Sequence, residues 1–366
     1  MVPYDRRTSC HITTSCLPQL TLHVERYTGS AKQWDDFVRT ATGWTHNHLY
    51  GWRAVMQQSM RHDTPYLVAT DSDTNTIRGV LPLVRVRSML FGHFLVSVPF
   101  LNYGGPLGSP HAVTALAAHA ATMASTEQVG VLELRNRFDI GALADFDVSH
   151  RKITVLLDSS GGSEAVWKRL SSKLRSQVRR PQKEGVTVRI GPDQVGPFYS
   201  VFAHHMRDLG TPVMPRRFFD AVANEFPDDS LFAVAYHNDK PIACGAGFTW
   251  GNGDDREFEI TWASALREYN RISPNMLVYW ELMKHVADSG VRTFNFGRCT
   301  PGGNTHKFKT QWGTTDQPLW WYERRAKGAA TPSEGTGAAA RGPAIWKRLP
   351  LPIANALGPR IIRFIP

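Results

Sequence analysis

Strand-like and helix-like segments alternate along residues 20–326, in the same order in both halves of this range. The first half contains strand-like segments at 67–69, 78–87, 130–135 and 153–158, and a run of small residues typical of a helix at 112–124. Such alternation predicts a mixed α/β fold. The 366-residue chain is long enough for two domains, because one hydrophobic core rarely serves more than roughly 250–300 residues.

The second half repeats this order, which indicates an internal duplication. Its predicted helices are 164–180, 197–208, 215–226 and 274–289, and its predicted strands are 186–190, 231–237, 241–250, 257–264 and 291–296. We therefore predict a first domain over 20–158 and a second over 159–326. Residues 327–366 would form a flexible linker followed by a basic and apolar tail.

The formal net charge of +10 is concentrated in two segments. Residues 166–190 carry eight basic side chains and one acidic one, and 327–366 carry six basic side chains and one acidic one. The rest of the chain is slightly acidic. Each basic segment therefore needs its own explanation, either a solvated surface or an anionic partner.

The sequence contains neither the apolar run of a secretory signal nor a stretch long enough for a transmembrane helix. Cys10, Cys16, Cys244 and Cys299 lack the paired spacing of a zinc site or a disulfide framework. His204 and His205 are adjacent, so they would not share a helix face. We predict a soluble cytoplasmic protein with no metal site.

The first basic segment is predicted to be one amphipathic helix. Apolar residues fall on one side of it, and six cations fall on the other, namely Lys168, Arg169, Lys173, Arg175, Arg179 and Arg180. One interpretation is an ordinary solvated face. The other is a site for a pyrophosphate or an RNA backbone, because unpaired like charges on one helix repel each other.

Two features of the second half are typical of anion sites. The helix at 274–289 is predicted to have Ser273 as its N-cap, and it follows strand 257–264 across a loop containing Arg267 and Arg271. A well-capped helix also needs no ligand, so this interpretation stays open. The Gly-rich segment 297–313 carries Arg298, Lys307 and Lys309, which could hold a phosphate.

Neither a phosphate-binding loop of the kinase type nor a dinucleotide-binding glycine motif is present, which argues against kinases and dehydrogenases. In strand 257–264, Glu257 and Glu259 alternate with Phe258, Ile260 and Trp262, so the carboxylates would share one face. Glu259 could then act as a base for an amine nucleophile. The alternative is a pair of surface carboxylates.

The chain resembles the FemAB family of tandem GNAT-fold acyl and aminoacyl transferases over roughly residues 30–325. In the second half the matching segments are Lys173-Leu-Arg-Ser-Gln-Val-Arg-Arg-Pro-Gln-Lys-Glu-Gly, Leu209-Gly-Thr-Pro-Val, Arg271-Ile-Ser-Pro-Asn-Met-Leu-Val-Tyr-Trp, Phe294-Asn-Phe-Gly-Arg-Cys and Phe308-Lys-Thr-Gln-Trp-Gly. In the first half, Gly79-Val-Leu-Pro-Leu, Arg87-Ser-Met-Leu-Phe-Gly, Leu95-Val-Ser-Val-Pro-Phe and Asn102-Tyr-Gly-Gly-Pro resemble the branch found with exopolysaccharide and protein-sorting genes.

This resemblance implies two tandem GNAT-like domains, each a mixed, mostly antiparallel sheet flanked by helices. It also implies an N-acyl transfer to an amine of a cell-envelope or polysaccharide precursor, such as a peptidoglycan precursor, or of an amino sugar. Lys309 falls where the family's Phe-Lys pair supports transfer. The substrates would contact Tyr103, Lys173, Arg175, Arg179, Arg271, Asn275, Tyr279, Arg298, Lys307, Phe308 and Trp312.

The donor would be a co-substrate, aminoacyl-tRNA or acyl-CoA, with no tightly bound cofactor. Two alternatives remain open. One is an N-acetyltransferase that uses acetyl-CoA, although the usual acetyl-CoA loop is not evident before helix 274–289. The other is a non-catalytic module that binds RNA or a polymer.

The last segment mixes Trp, Leu, Ile and Phe with Lys and Arg, and its prolines forbid one long amphipathic helix. It is interpreted either as a strap packed on the body or as an interfacial segment for anionic lipid. The second interpretation would place the protein peripherally at the inner face of the membrane.

Overall fold

The computed structural model describes residues 21–88, 92–326, 328 and 338–365, with side chains left out for 338–341. Most of the predicted linker, and residues 89–91 of one resemblance motif, lie outside this range. In the part that is described, no helix is both long and apolar enough to cross a bilayer.

The strands of the first half are β1 (Leu22–Arg26), β2 (Leu67–Asp71), β3 (Ile77–Leu81), β4 (Leu83–Ser88), β5 (Gly92–Ser97), β6 (Leu107–Gly108), β7 (Val131–Asn136), β8 (Asp147–Ser149) and β9 (Ile153–Asp158). Those of the second half are β10 (Thr187–Ile190), β11 (Ser230–His237), β12 (Lys240–Trp250), β13 (Glu257–Ala265), β14 (Thr293–Cys299), β15 (Thr315–Pro318) and β16 (Trp320–Arg325).

The helices are α1 (Ala31–Thr40), α2 (Gly51–Val55), α3 (Pro110–Thr126), α4 (Gly162–Arg169), α5 (Ser172–Lys183), α6 (Val195–Leu209), α7 (Arg216–Glu225), α8 (Pro274–Asp288), α9 (Asn304–Thr310), α10 (Ala338–Trp346) and α11 (Leu351–Ile362). The sequence predicted α3, α6, α7 and α8 to within about two residues at each end, because their apolar spacing and flanking turns are clear.

The strands form three sheets. A four-stranded sheet has the order β1-β2-β3-β6, a five-stranded sheet β4-β5-β7-β16-β8, and a seven-stranded sheet β10-β11-β12-β13-β14-β9-β15. In each half one parallel pair is joined by a crossover helix, β5 to β7 through α3 and β13 to β14 through α8. The same unit in both halves agrees with the predicted duplication.

The two halves exchange a strand. β9 precedes the predicted boundary at residue 158 but pairs with β14 and β15 in the seven-stranded sheet. β16 was assigned to the second domain but pairs with β7 and β8 in the five-stranded sheet. The predicted boundary therefore does not separate the sheets, because strand pairing between distant segments leaves no mark in local sequence.

One core cluster is built from both halves. The ring of Trp52 in α2 lies 5.0 Å from that of Phe226 and 5.3 Å from that of Phe248, between ring centroids. On the opposite face of the seven-stranded sheet, α4, α5 and α8 cover a second cluster. The sheet is therefore covered on both faces, on one side partly by the other half of the chain.

The predicted helix 164–180 is wrong, because two helices cover this stretch. α4 ends at Arg169, and the side chain of Ser171 accepts a hydrogen bond from the Leu174 backbone N–H at the start of α5. The six cations of the predicted face are therefore divided between the two helices. Lys168 pairs with Glu164 at 2.9 Å and Arg169 with Asp158 at 3.0 Å, so these two are not free for an anion.

Two further local predictions are correct only in part. Ser273 is the N-cap of α8 as predicted, but its backbone is left-handed with φ of 55° and its side chain makes no capping hydrogen bond. The predicted strand 78–87 is interrupted at Pro82, so that β3 and β4 belong to different sheets. Proline lacks the N–H that a continuous ladder would need.

A β-bulge changes the faces of β13. Gly247 pairs with Ile260 and Ala246 pairs with Trp262, which leaves Thr261 as the extra residue. Phe258 and Ile260 therefore belong to one core cluster and Trp262 to the other. The prediction that all three share a face is wrong beyond residue 260.

We expect Gly247→Ala to lower the free energy of unfolding by about 1–3 kcal/mol. A Cβ atom at this position would lie 2.0 Å from the Glu259 carbonyl oxygen and 2.7 Å from the Phe258 ring, opposite the bulge. Urea denaturation followed by circular dichroism measures the change. Gly342→Ala is the matched control, since a Cβ there meets nothing within 4 Å. Equal stabilities for the two variants would contradict this packing.

Candidate active site

The parallel strands β13 and β14 pair only at their beginnings. Their register ends at Glu259 opposite Asn295, and beyond this point β14 pairs with β9 while β13 pairs with β12. A notch therefore opens between the later residues of the two strands. Backbone groups of β13 on this side no longer have a strand partner, so they are available to a ligand.

A buried carboxylate marks the base of the notch. Glu259 has no exposed surface, and it accepts hydrogen bonds from Asn102 Nδ2 at 2.7 Å, from Thr261 Oγ1 at 3.2 Å and from the Tyr103 hydroxyl. Burial raises the pKa of Glu259, while the donation from Tyr103 lowers it. The alternative interpretation, a pair of surface carboxylates, is therefore wrong.

Asn295 extends this network along β14. Its Oδ1 accepts from Thr154 Oγ1 at 2.6 Å and from the Gly297 backbone N–H at 2.8 Å. Its Nδ2 lies 3.0 Å from the Tyr103 hydroxyl and 2.7 Å from Glu257 Oε1. The asparagine thus uses both ends of its amide and ties β9, β14 and the first-half loop together.

The loop that carries Asn102 and Tyr103 has a strained backbone. Val98 and Phe100 adopt φ values of 48° and 71°, a left-handed region that bulky and β-branched residues rarely enter. Such strain costs about 1–3 kcal/mol per residue. Contacts to the second half, among them the Tyr103–Glu259 hydrogen bond, hold the loop in this shape.

Lys309 of α9 is the buried cation of the notch. Its side chain is 3% exposed, and Nζ donates to the carbonyl oxygens of Gly297 at 2.7 Å and Arg298 at 3.0 Å. Burial lowers the pKa of Lys309 to about 8, against the opposing influence of Cys299 and Glu259. A glycine is required at 297 by a different contact, since its φ is 70° and a Cβ there would lie 2.9 Å from the Ile260 carbonyl oxygen of β13.

Aromatic side chains pack together on the face of the sheet that α8 covers. The ring of Tyr279 stacks on Phe296 with centroids 5.5 Å apart and meets Phe308 edge-on at 5.0 Å. Trp312 packs on Phe296 at 5.8 Å. Three residues predicted to bind substrate, Tyr279, Phe308 and Trp312, therefore belong to one aromatic cluster of the core beneath α8.

Arg298 borders a pocket of about 330 Å³ lined also by Lys152, Cys299 and Thr305. Its guanidinium lies 5.0 Å from the centre of the Trp321 ring. Burial and the nearby Arg135 lower the pKa of Arg298 to about 10. A cation in this position favours a phosphate or carboxylate in the pocket.

A larger groove of about 940 Å³ lies between the two halves, at the other end of β13. Trp44, Phe138 and Trp250 contribute aromatic surface to it, and Arg137 and Glu257 contribute charge. The Arg137 guanidinium is held 2.8 Å from Glu257. Because Glu257 also bonds Asn295, the hydrogen-bonded network connects this groove to the notch.

Other predicted residues lie apart from this cluster. On α5, Arg175 donates to the Trp167 carbonyl oxygen at 3.4 Å and Arg179 lies over the Trp167 ring, while Lys173 is exposed. Near α8 and α9, Arg271 and Lys307 are exposed and Asn275 is half-buried. Among the described residues, none of these six makes a hydrogen bond or ion pair with Glu259 or Lys309.

The sequence interpretation did not single out Asn102, Arg137, Thr154 or Asn295. Asn102 and Asn295 stand inside motifs quoted for the family resemblance, so their positions carried a signal. Arg137 and Thr154 had no such sequence signal, since they reach the network only through pairing between distant strands. In the described ranges, no cluster of three or more His, Cys, Asp or Glu side chains is arranged to hold a metal.

Comparison with protein families identifies the second half. Residues 168–310 match the family described as the acetyltransferase (GNAT) domain. This part of the chain is therefore similar to a GNAT domain. A search of curated protein sequences finds no match to the chain.

Solved structures extend the likeness to both halves. FemX is similar over 82% of this chain and 97% of its own, with 12% identity and a TM-score of 0.59. The C-terminal domain of a putative lysylphosphatidylglycerol synthetase from Agrobacterium fabrum is similar over 82% of this chain and 93% of its own, with 12% identity and a TM-score of 0.55.

A tandem GNAT protein from the clavulanic acid biosynthesis pathway is similar over 86% of this chain and 100% of its own, with 12% identity and a TM-score of 0.50. At such identities the likeness shows the fold. The predicted fold class, a mixed α/β protein with tandem GNAT-like halves, is confirmed.

We expect Tyr103→Phe to lower the free energy of unfolding by about 1–3 kcal/mol at neutral pH, because Glu259 then loses a buried donor. The native pKa of Glu259 would rise further, so the folded state would bind its proton more readily than the unfolded state. The deficit should therefore grow as the pH rises and shrink as the pH falls through the raised pKa of Glu259. Urea denaturation at several pH values measures it.

Tyr279→Phe is the matched control for this experiment. The Tyr279 hydroxyl makes no hydrogen bond to the residues that the structure describes, although its ring is buried. Its removal should leave stability nearly unchanged at every pH. A pH-independent loss in Tyr103→Phe, or an equal loss in both variants, would contradict the coupling to Glu259.

Proposed function

We propose that the chain is an N-acyltransferase that passes an acyl or aminoacyl group to the amine of a cell-envelope or polysaccharide precursor or of an amino sugar. The observation that carries this proposal is Lys309, a buried lysine with a lowered pKa at the notch of a GNAT sheet. Burying a lysine amine lowers the stability of the folded state. Buried groups with such shifted pKa values are typical of reaction centres.

In the proposed reaction, the acceptor nitrogen attacks the donor carbonyl carbon and forms an N–C bond. The bond from that carbon to the donor's oxygen or sulfur breaks, and the amine proton leaves with the leaving group or solvent. The Lys309 ammonium has three N–H donors. Two of them form hydrogen bonds to the Gly297 and Arg298 carbonyl oxygens, and the third would donate to the developing oxyanion. Unpaired backbone N–H groups of β13 would assist.

Glu259 has a different role in this proposal from the base first considered. Its carboxylate is enclosed, and Asn102, Tyr103 and Thr261 already donate to it. We assign it as a positioning residue that fixes the first-half loop against β13 and adds negative potential near Lys309. In this proposal Glu259 does not accept the proton of the acceptor amine.

The notch and the two cavities suit two substrates. The notch at Lys309 would take the acyl group, and the pocket at Arg298 would hold a donor phosphate or carboxylate. The groove between the halves, with Trp44, Phe138 and Trp250, suits a sugar or peptide acceptor. The cations of α5, Lys173, Arg175 and Arg179, would meet the phosphates of a nucleotide-linked precursor or of tRNA.

The family resemblance and the FemX-like fold support an envelope or exopolysaccharide acceptor. The likeness to a lysylphosphatidylglycerol synthetase supports an aminoacyl donor such as aminoacyl-tRNA. The donor is a co-substrate in this proposal, and no resident cofactor is invoked.

We expect Lys309→Met to reduce the transfer rate by about a hundredfold or more, because a preorganised donor to the oxyanion is lost. Mass spectrometry of products from a panel of acyl-CoA and aminoacyl-tRNA donors with amine acceptors measures transfer. Lys284→Met, which removes an exposed lysine from α8, is the matched control and should stay active. A folded, fully active Lys309→Met would reject the assignment.

The rate of the unaltered protein should fall above about pH 8, since Lys309 loses its charge as the pH rises through its pKa. This fall would not reflect unfolding caused by Lys309. The pKa of Lys309 is about 8 in the folded state and 10.5 for an unperturbed lysine, so the unfolded chain binds more protons between these pH values. The stability that this group contributes therefore rises with pH. A rate that increases through pH 8 would show that neutral Lys309 is the active form.

A second candidate is an N-acetyltransferase that uses acetyl-CoA, which the description of the matching family favours. In that case calorimetric titration should detect CoA binding, and Arg298→Gln should weaken it. If tRNA binds with a steep salt dependence but no donor yields an acylated product, the chain is instead a binding module.

A further inference from the structure

The C-terminal helix α11 has two apolar faces. Ala354, Gly358 and Ile362, spaced four residues apart, are buried against the body. Gly358 permits the close approach, since a Cβ there would lie 3.0 Å from the Val213 backbone nitrogen. The interpretation of this segment as a strap is therefore correct for its inner side.

The body holds the strap at several points. Arg207 of α6 donates to the Leu349 carbonyl oxygen at 3.2 Å, and Trp346 is buried. A Cβ on Gly210 would lie 2.6 Å from the Pro343 carbonyl oxygen, so α10 also passes directly over the end of α6. These contacts fix the orientation of α11 and decide which side faces outward.

The outward side of α11 is apolar as well. Ile353, Leu357, Ile361 and Phe364 fall on one stripe of the helix and its last turn, and each is 36–46% exposed. Ile345, in α10, is 63% exposed. Large side chains gathered on one face in this way mark a surface that meets a partner.

The charges beside the stripe identify the partner. Residues 342–365 contain Lys347, Arg348, Arg360 and Arg363 and no acidic residue. None of these four cations forms an ion pair with the residues that the structure describes. A two-fold contact between copies of the chain would bring these like charges together, whereas an anionic lipid surface would neutralise them.

We propose that the outward face of α11 docks the protein on an anionic lipid bilayer, with Ile353, Leu357, Ile361 and Phe364 in the headgroup region. The exposed cations Lys347, Arg348 and Arg360 would then lie on lipid phosphates. The helix lies in the plane of the surface and does not cross it. Pro350 and Pro352 stand at the start of the helix, and Pro359 lies within it without ending it. This surface is separate from the notch, and binding needs neither donor nor acceptor.

Vesicle flotation with the full chain tests the proposal. We expect binding to phosphatidylcholine vesicles containing about one third phosphatidylglycerol, weaker binding to pure phosphatidylcholine, and release by salt. The double variant Ile353→Asp with Leu357→Asp should bind about tenfold less. Val148→Asp is the matched control, because Val148 is 43% exposed on β8 and should not affect binding.

A second double variant, Lys347→Gln with Arg360→Gln, separates the two contributions. It should lose binding to the anionic vesicles and leave the weak binding to neutral vesicles unchanged. Circular dichroism melting verifies that each variant is folded, which is expected since all four substituted side chains are exposed.

Three outcomes would overturn the proposal: no binding of the unaltered chain to anionic vesicles, equal binding by the aspartate variant, or equal binding to neutral vesicles. Analytical ultracentrifugation tests the other possibility, that a second copy of the chain binds to this face. If the unaltered chain is a dimer that the aspartate variant disrupts, the face is a self-association surface and the lipid assignment is wrong. Because flotation needs no acyl transfer, failure here leaves the proposed enzyme activity unaffected.

Discussion

The carboxylate of Glu259 has no contact with solvent, and the shape of the notch depends on how it is satisfied. Burying a carboxylate is unfavourable unless donors surround it, and two of its donors, Asn102 and Tyr103, come from the other half of the chain. The hydrogen bonds therefore join two sheets that local sequence would place in separate domains. They also fix the backbone loop between β5 and β6 in a conformation it would not adopt alone.

The strand exchange gives this junction its rigidity. With β9 beside β14 and β16 beside β7, separating the halves would break ladders in two sheets and open a shared hydrophobic core. The parallel pair β13 and β14 can then separate after three residues without loosening the fold, because each strand keeps a partner on its other side. An open notch in a rigid sheet suits a reaction that depends mainly on positioning.

The electrostatics of the notch follow from burial. Glu259 is driven toward its protonated form and Lys309 toward its neutral form, so both lie closer to neutral pH than free side chains would. Their separate hydrogen-bond sets keep them from forming a direct ion pair. Lys309 retains a donor toward the notch, and Glu259 is committed to the interface between the halves.

The sequence by itself determined the fold class and the position of four helices, α3, α6, α7 and α8, because apolar periodicity is a local property. It pointed to Lys309 as a catalytic residue only through the family resemblance. It also placed Glu257 and Glu259 on one face of β13. The bulge at Thr261, the break between α4 and α5, and the network through Arg137 and Asn295 were decided only by the tertiary structure. Each depends on strand register or on contacts between distant segments, which set the burial and the partners of a side chain but leave no local pattern.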